Sequence, residues 1–155
     1  MQGQELLSQW SKARGSRFGR LLFSRALGLA VPYSGTIKAE ILELEPGHVR
    51  VAIKDRRRVR NHLRSVHAIA LVNLGELASG LALLSGIDEG TRGIVKGLSA
   101  QYLKKARGRL VAECHCEPPA GTEQRDFTVE ARIRDTEGDD VAVVRVNWRL
   151  GPKKR

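Results

Sequence analysis

The sequence predicts an α+β protein in which an antiparallel sheet packs around one long apolar helix. Residues 66–84 are almost wholly apolar, lack proline and carry one charged side chain, Glu76. Six strand candidates surround this stretch, two before it and four after, most of them alternating apolar and polar residues. The turns between the later strands are short enough for hairpins or a meander. Strands running in series onto one buried helix are the pattern of an α+β fold, and 155 residues suffice for one domain with a real core.

Residues 1–31 read as helical. Leu6, Leu7 and Trp10 form one apolar stripe; Phe18, Leu21, Leu22, Arg25 and Leu29 suggest a second, with Gly15 and Gly19 as weak points between them. Pro32 is expected to end the segment. Arg25 interrupts the only run apolar enough for a secretory signal, and although residues 8–25 resemble a transit peptide in composition, a helix covering the sheet edge is the preferred reading. The chain then changes period. Residues 36–44 can form a strand, Glu45-Pro46-Gly47-His48 suits a type II turn, and Val49, Val51 and Ile53 alternate with Arg50, Ala52 and Lys54. Beyond the helix, strands are predicted over 93–103, 109–116, 126–135 and 140–150. The expected division is a helical segment over 1–33, a domain over 34–150 and a basic tail over 151–155.

A helix apolar on all sides is buried on all sides. About 20 such residues would also cross a bilayer. Glu76, Asn73 and His67 argue against a span, and Gly75, Ala78, Ser79, Gly80 and Ala82 make the segment small rather than greasy. Small residues let other backbone pack close, as a sheet wrapped around a helix requires.

Lys and Arg number 27 against 17 Asp and Glu, a formal charge of +10. Such an excess suits an anionic partner or a well-solvated basic surface. Nucleic acid is not expected, because Trp10, Tyr33, Tyr102 and Trp148 are scattered rather than interleaved with the basic runs. Cys114 and Cys116 flank His115, so on a strand the thiols share one face and the imidazole takes the other. That is poor geometry for a shared metal, and no second cluster completes four ligands. Reduced cysteines in a cytoplasmic protein are the expectation, with no metal and no cofactor.

The element order, with NHLRSVHAIALVNLGELASG at its centre, resembles the hotdog-fold acyl-CoA thioesterases, particularly the PaaI-like group. Members of that group carry an Asn, a His six residues later that opens a His-Gly-Gly element, and an Asp or Glu nine residues further on the helix. Asn61, His67 and Glu76 stand at those spacings. AQYLKKARGRLVAECH looks like the third and fourth strands of the family and DFTVEARIRDTEGDDVAVVRVNWRL like its last hairpin, so the resemblance spans about residues 34–150. Two departures stand out. Ala68 and Ile69 replace the two glycines, and Ile94 and Val95 stand where members often carry Ser or Thr.

The resemblance implies hydrolysis of acyl-CoA or a related thioester at a site shared across a dimer or tetramer, with coenzyme A entering only as part of the substrate. In that reading Glu76 is the base or nucleophile, and burial raises its carboxyl toward useful values. Free N–H groups near Ala68 hold the oxyanion, Asn61 orients water or carbonyl, and His67 fixes the loop or polarises the carbonyl. Nine residues at about 100° each leave His67 and Glu76 on opposite sides of one helix, so two antiparallel helices about a two-fold axis are needed to join them. Arg64, Lys104, Lys105 and Arg107 are candidates for the coenzyme A phosphates. Plainer roles stand beside these: His67 as a helix cap, Asn61 as a turn residue, Glu76 as partner to a buried arginine. A non-catalytic acyl-CoA binder on the same fold is the alternative function.

Overall fold

The computed structural model describes residues 3–153. Three helices lead the chain, α1 (Gly3–Ala13), α2 (Arg17–Ala30) and the single turn α3 (Pro32–Gly35). The hairpin β1 (Glu40–Glu45) and β2 (His48–Ile53) follows, then a 3₁₀ turn at Arg57–Val59 and the long helix α4 (Ala68–Gly86). Four strands complete the fold: β3 (Thr91–Tyr102), β4 (Leu110–His115), β5 (Arg125–Arg134) and β6 (Asp140–Pro152). All six strands join one antiparallel sheet in the order β1-β2-β4-β5-β6-β3.

The sheet wraps α4, the expected arrangement. Leu71, Leu77 and Leu81 are only 3%, 9% and 6% exposed, against the sheet on one side and the N-terminal helices on the other. A Cβ at Gly75 would run into the Val144 side chain, which is why a small residue is needed where α4 crosses β6. Ala68–Gly86 is the one described helix long and apolar enough to cross a membrane, and its burial is that of a core helix.

The strand and helix positions agree with the sequence reading to within a few residues. The helix predicted over 66–84 runs two residues later at each end, because His67 is its N-cap. Gly47, at φ +78°, supplies the left-handed residue of the predicted type II turn. The strand predicted from residue 36 starts only at Glu40, because Pro32, expected to stop the helical segment, instead opens α3 at a position that suits proline. Gly151 and Pro152, predicted as tail, extend β6 opposite Arg92 and Thr91, while residues 154–155 lie outside the described chain.

The larger correction concerns α2. Leu6 and Trp10 of α1 are buried as expected, but the predicted second stripe faces solvent, with Phe18 69% and Leu29 81% exposed. The face turned inward carries Phe23, Ser24 and Leu27. Two contacts set that rotation. The Phe23 ring packs on Trp10 with centroids 5.2 Å apart. The Ser24 Oγ donates to the Arg20 carbonyl at 2.7 Å and accepts the Ile41 N–H at 2.9 Å. Thus α2 lies over the β1 edge, and Ser24 satisfies a buried strand donor there.

Candidate functional site

The start of α4 is built by a locked loop. The Asn61 Oδ1 accepts from the backbone of Leu63 (2.9 Å) and Ser65 (3.2 Å) and from the Ser65 hydroxyl (3.2 Å). Arg64 occupies a left-handed conformation at φ +56°, and a bridge between Arg60 and Val66 closes the loop. The turn role considered for Asn61 is therefore real. It leaves the amide Nδ2 donating to no described group. His67 caps the helix: its Nδ1 accepts the Ile69 N–H at 3.1 Å. With Nδ1 an acceptor, the neutral ring carries its proton on Nε2, and the side chain is exposed. The Ala68 N–H, at the first helical position, has no partner in the first turn. The Tyr102 hydroxyl donates to the Ala68 carbonyl at 3.2 Å and ties the end of β3 to this point, a contact that sequence reasoning did not find.

Glu76 stands two and a half turns further along. It has no ion-pair or side-chain hydrogen-bond partner among the described residues, so no described arginine of the same chain pairs with it. Burial pushes its carboxyl above the ordinary carboxylate value. It lines a cavity of about 460 Å³ together with Leu77, Gly80, Leu81, Trp148 and residues of α1–α3. The N-terminal helices thus form one wall of the Glu76 cavity. The Trp148 indole donates to the Ser79 hydroxyl at 3.2 Å, and that hydroxyl donates to the Glu76 carbonyl at 2.9 Å, which steadies this wall. Within one chain Glu76 and His67 are about 13 Å apart along the helix axis and are not brought together.

The bare side of the sheet adjoins this region. Val95 and Leu98 of β3 stand opposite Trp148 and Val146, which are buried, so they too lie on the helix side of the sheet. Yet Val95 is 37% and Leu98 46% exposed. Ile94 points the other way, opposite Arg149. The helix-side positions of β3 are Thr91, Gly93, Val95, Leu98, Ala100 and Tyr102, and at the centre of the strand Val95 and Leu98 offer no hydroxyl.

The basic candidates divide. Arg64, Lys105 and Arg107 are exposed on two loops that meet at the head of α4, where Val66 donates to the Ala106 carbonyl at 2.8 Å. Lys104 is placed differently. Its ammonium contacts Asp135, Glu137 and Asp139 at 2.8, 2.9 and 2.7 Å, which holds its proton far above the ordinary lysine value. These three acids are also the one set of metal-type ligands grouped among the described residues, and the Lys104 ammonium sits among them. The cysteines follow the predicted geometry. Cys114 is buried, His115 is exposed on the other face, and both thiols are free. A thiol–thiol hydrogen bond with Cys116, together with burial, pushes Cys114 up.

Solved structures share this architecture. The structural-genomics protein APC5556 aligns over 97% of this chain and 98% of its own, at 27% identity and TM-score 0.81. A protein of unknown function from Pseudomonas aeruginosa, PA5026, named a probable thioesterase, aligns over 86% and 93% at 24% identity and TM-score 0.72. A hypothetical thioesterase from Streptococcus pneumoniae, solved with coenzyme A, aligns over 83% and 99% at 22% identity and TM-score 0.68. No curated protein matches the sequence at a significant level. The fold is the hotdog fold of the thioesterase-named structures, and residues 19–150 match the domain of unknown function DUF4442, the family to which this chain belongs.

Proposed function

We propose that the protein hydrolyses acyl-CoA or related thioesters at a site completed by two copies of the chain. One observation carries the reading: a carboxylate, Glu76, unpaired among the described residues and raised by burial, on the core helix and in the wall of a cavity fit for an acyl group. Support for two copies comes from β3, a 12-residue edge strand with apolar residues uncovered on its helix side. Pairing two such edges about a two-fold axis sets the α4 helices antiparallel and directs the Glu76 of one copy toward the helix start of the other.

In this mechanism ionised Glu76 removes a proton from water as the oxygen attacks the thioester carbonyl. The Ala68 N–H of the other copy, at the positive end of its helix, holds the oxyanion, with the free donors of Asn61 and His67 beside it. Collapse breaks the C–S bond, and the proton held by Glu76 passes to the departing thiolate, giving free acid and coenzyme A. Arg64, Lys105 and Arg107 meet the coenzyme A phosphates, while Lys104 stays with its three carboxylates. The relative from Streptococcus pneumoniae with coenzyme A supports that class of ligand. The chain works in the cytoplasm with its thiols reduced and needs no separate cofactor. Binding of acyl-CoA without turnover is the second reading, favoured by the apolar Ile94 and Val95 at the positions where members of the resembled group often carry Ser or Thr.

Glu76→Gln separates the two. It keeps the shape and removes the base, so hydrolysis of acyl-CoA substrates is expected to fall by a factor on the order of 10² to 10⁴ while binding survives. Full turnover in the folded variant excludes Glu76 as base, and a parent protein inert toward every thioester assigns it to binding alone.

A further inference from the structure

The geometry points to a second binding site, for a long-chain aliphatic carboxylate, between α2–α3 and the β1–β2 hairpin. A cavity of about 450 Å³ lies there, within the size range that buries a drug-sized ligand. Its apolar lining includes Leu27, Ile41, Ile53 and Leu77, all buried core residues. Cations stand around it. Arg25, Lys38 and Lys54 contact no carboxylate among the described residues; Arg56 donates to the Thr36 carbonyl at 2.8 Å, and only Arg109 pairs with an acid, Glu40, at 3.2 Å. An apolar pocket with this excess of uncompensated positive charge discriminates against neutral chains and against short anions alike. It fits a molecule with both an aliphatic tail and an anionic head.

The outward face of α2 supports the same ligand class. Leu21, Leu29 and Val31 line the cavity and remain exposed at 41%, 81% and 42%. Between Glu5 and Glu40 the chain carries Lys12, Arg14, Arg17, Arg20, Arg25 and Lys38 and no acid. The cavity shares Leu27, Val31, Ser34 and Leu77 with the Glu76 cavity, but neither Glu76 nor Trp148 lines it and the basic residues belong to it alone. The two cavities thus stand back to back, and occupancy of the second does not depend on the catalytic reading.

Calorimetric titration of the 155-residue protein with dodecanoate, below its micelle concentration, tests the site. Saturable binding is expected, with dodecanol and butyrate each weaker by about tenfold or more. The double variant Arg25→Glu with Lys54→Glu, both exposed positions, is expected to melt like the parent and lose dodecanoate affinity by at least about tenfold. Glu76→Gln is expected to bind dodecanoate as the parent does, so a failed hydrolase reading leaves this result intact. Equal affinity for dodecanol, unchanged binding by the double variant, or no binding up to the solubility limit overturns the proposal. Attachment to phosphatidylglycerol vesicles without binding of monomeric dodecanoate also overturns it and assigns the basic face to a lipid surface.

Discussion

The two edges of the sheet are treated in opposite ways. At β1 the edge is closed: α2 lies over it, Ser24 takes the Ile41 N–H, and the residues facing inward are buried. At β3 the edge is bare over 12 residues, and Val95 and Leu98 on the helix side remain in solvent. An exposed, long, apolar edge strand is a pairing surface unless something blunts it. Here Lys96 is tied to Asp126 at 3.1 Å on the outer face, and no proline interrupts the strand. A helix covers one edge, and the other stays uncovered among the described residues. In the proposed dimer, Glu76 of one copy and the Ala68 N–H of the other would meet across this edge.

The largest effect is expected from spoiling the bare edge. Val95→Lys with Leu98→Lys puts two charges on the face assigned to the partner. Light scattering is expected to show a monomer, with thioester hydrolysis reduced on the order of 10²-fold or more, the worth of a lost base. An intact, active oligomer in that variant removes β3 from the interface. A smaller effect is expected at the closed edge. Ser24→Ala leaves the buried Ile41 N–H without a partner at a cost of about 1–3 kcal/mol. For a chain of this size that lowers the melting temperature by about 2–4 °C per kcal/mol, with oligomeric state unchanged. The smallest effect concerns Glu76 itself. Its raised carboxyl means that the folded state holds this proton more tightly than the unfolded chain does. The stability so gained is complete below the unfolded value and lost as pH rises through the folded one. Glu76→Gln is therefore expected to melt above the parent at neutral pH, the gap closing as pH falls toward about 4. A variant that melts lower at neutral pH indicates a charge partner for Glu76.

Most of the fold was legible because strand alternation and the apolar helix are strong local signals. Phe127, Val129, Ala131 and Ile133, for example, alternate with Thr128, Glu130, Arg132 and Arg134 along β5, and Val129, Ala131 and Ile133 are buried. The face of α2 was not legible, since two apolar stripes compete and the deciding contacts, Ser24 with Ile41 and Phe23 with Trp10, are tertiary. The ion pairs of Lys104 were not legible for a related reason. Its acids lie more than thirty positions on in sequence and reach it only through the pairing of β3, β6 and β5. The candidates Asn61, His67 and Glu76 were singled out by their spacing, but spacing said nothing of the wall that α1–α3 add beside Glu76, or of the cavity behind it.

Mixing two disabled subunits tests the shared site directly. Glu76→Gln removes the base, and His67→Ser keeps a good helix cap while removing the imidazole. Each is expected to be nearly inactive alone. If Glu76 of one copy works with His67 of the other, a heterodimer of the two variants regains one intact site. An equal, randomly assorted mixture is then expected to recover about one-quarter of the parent rate. Verified heterodimers no more active than the two separate variants would contradict a site built across two chains.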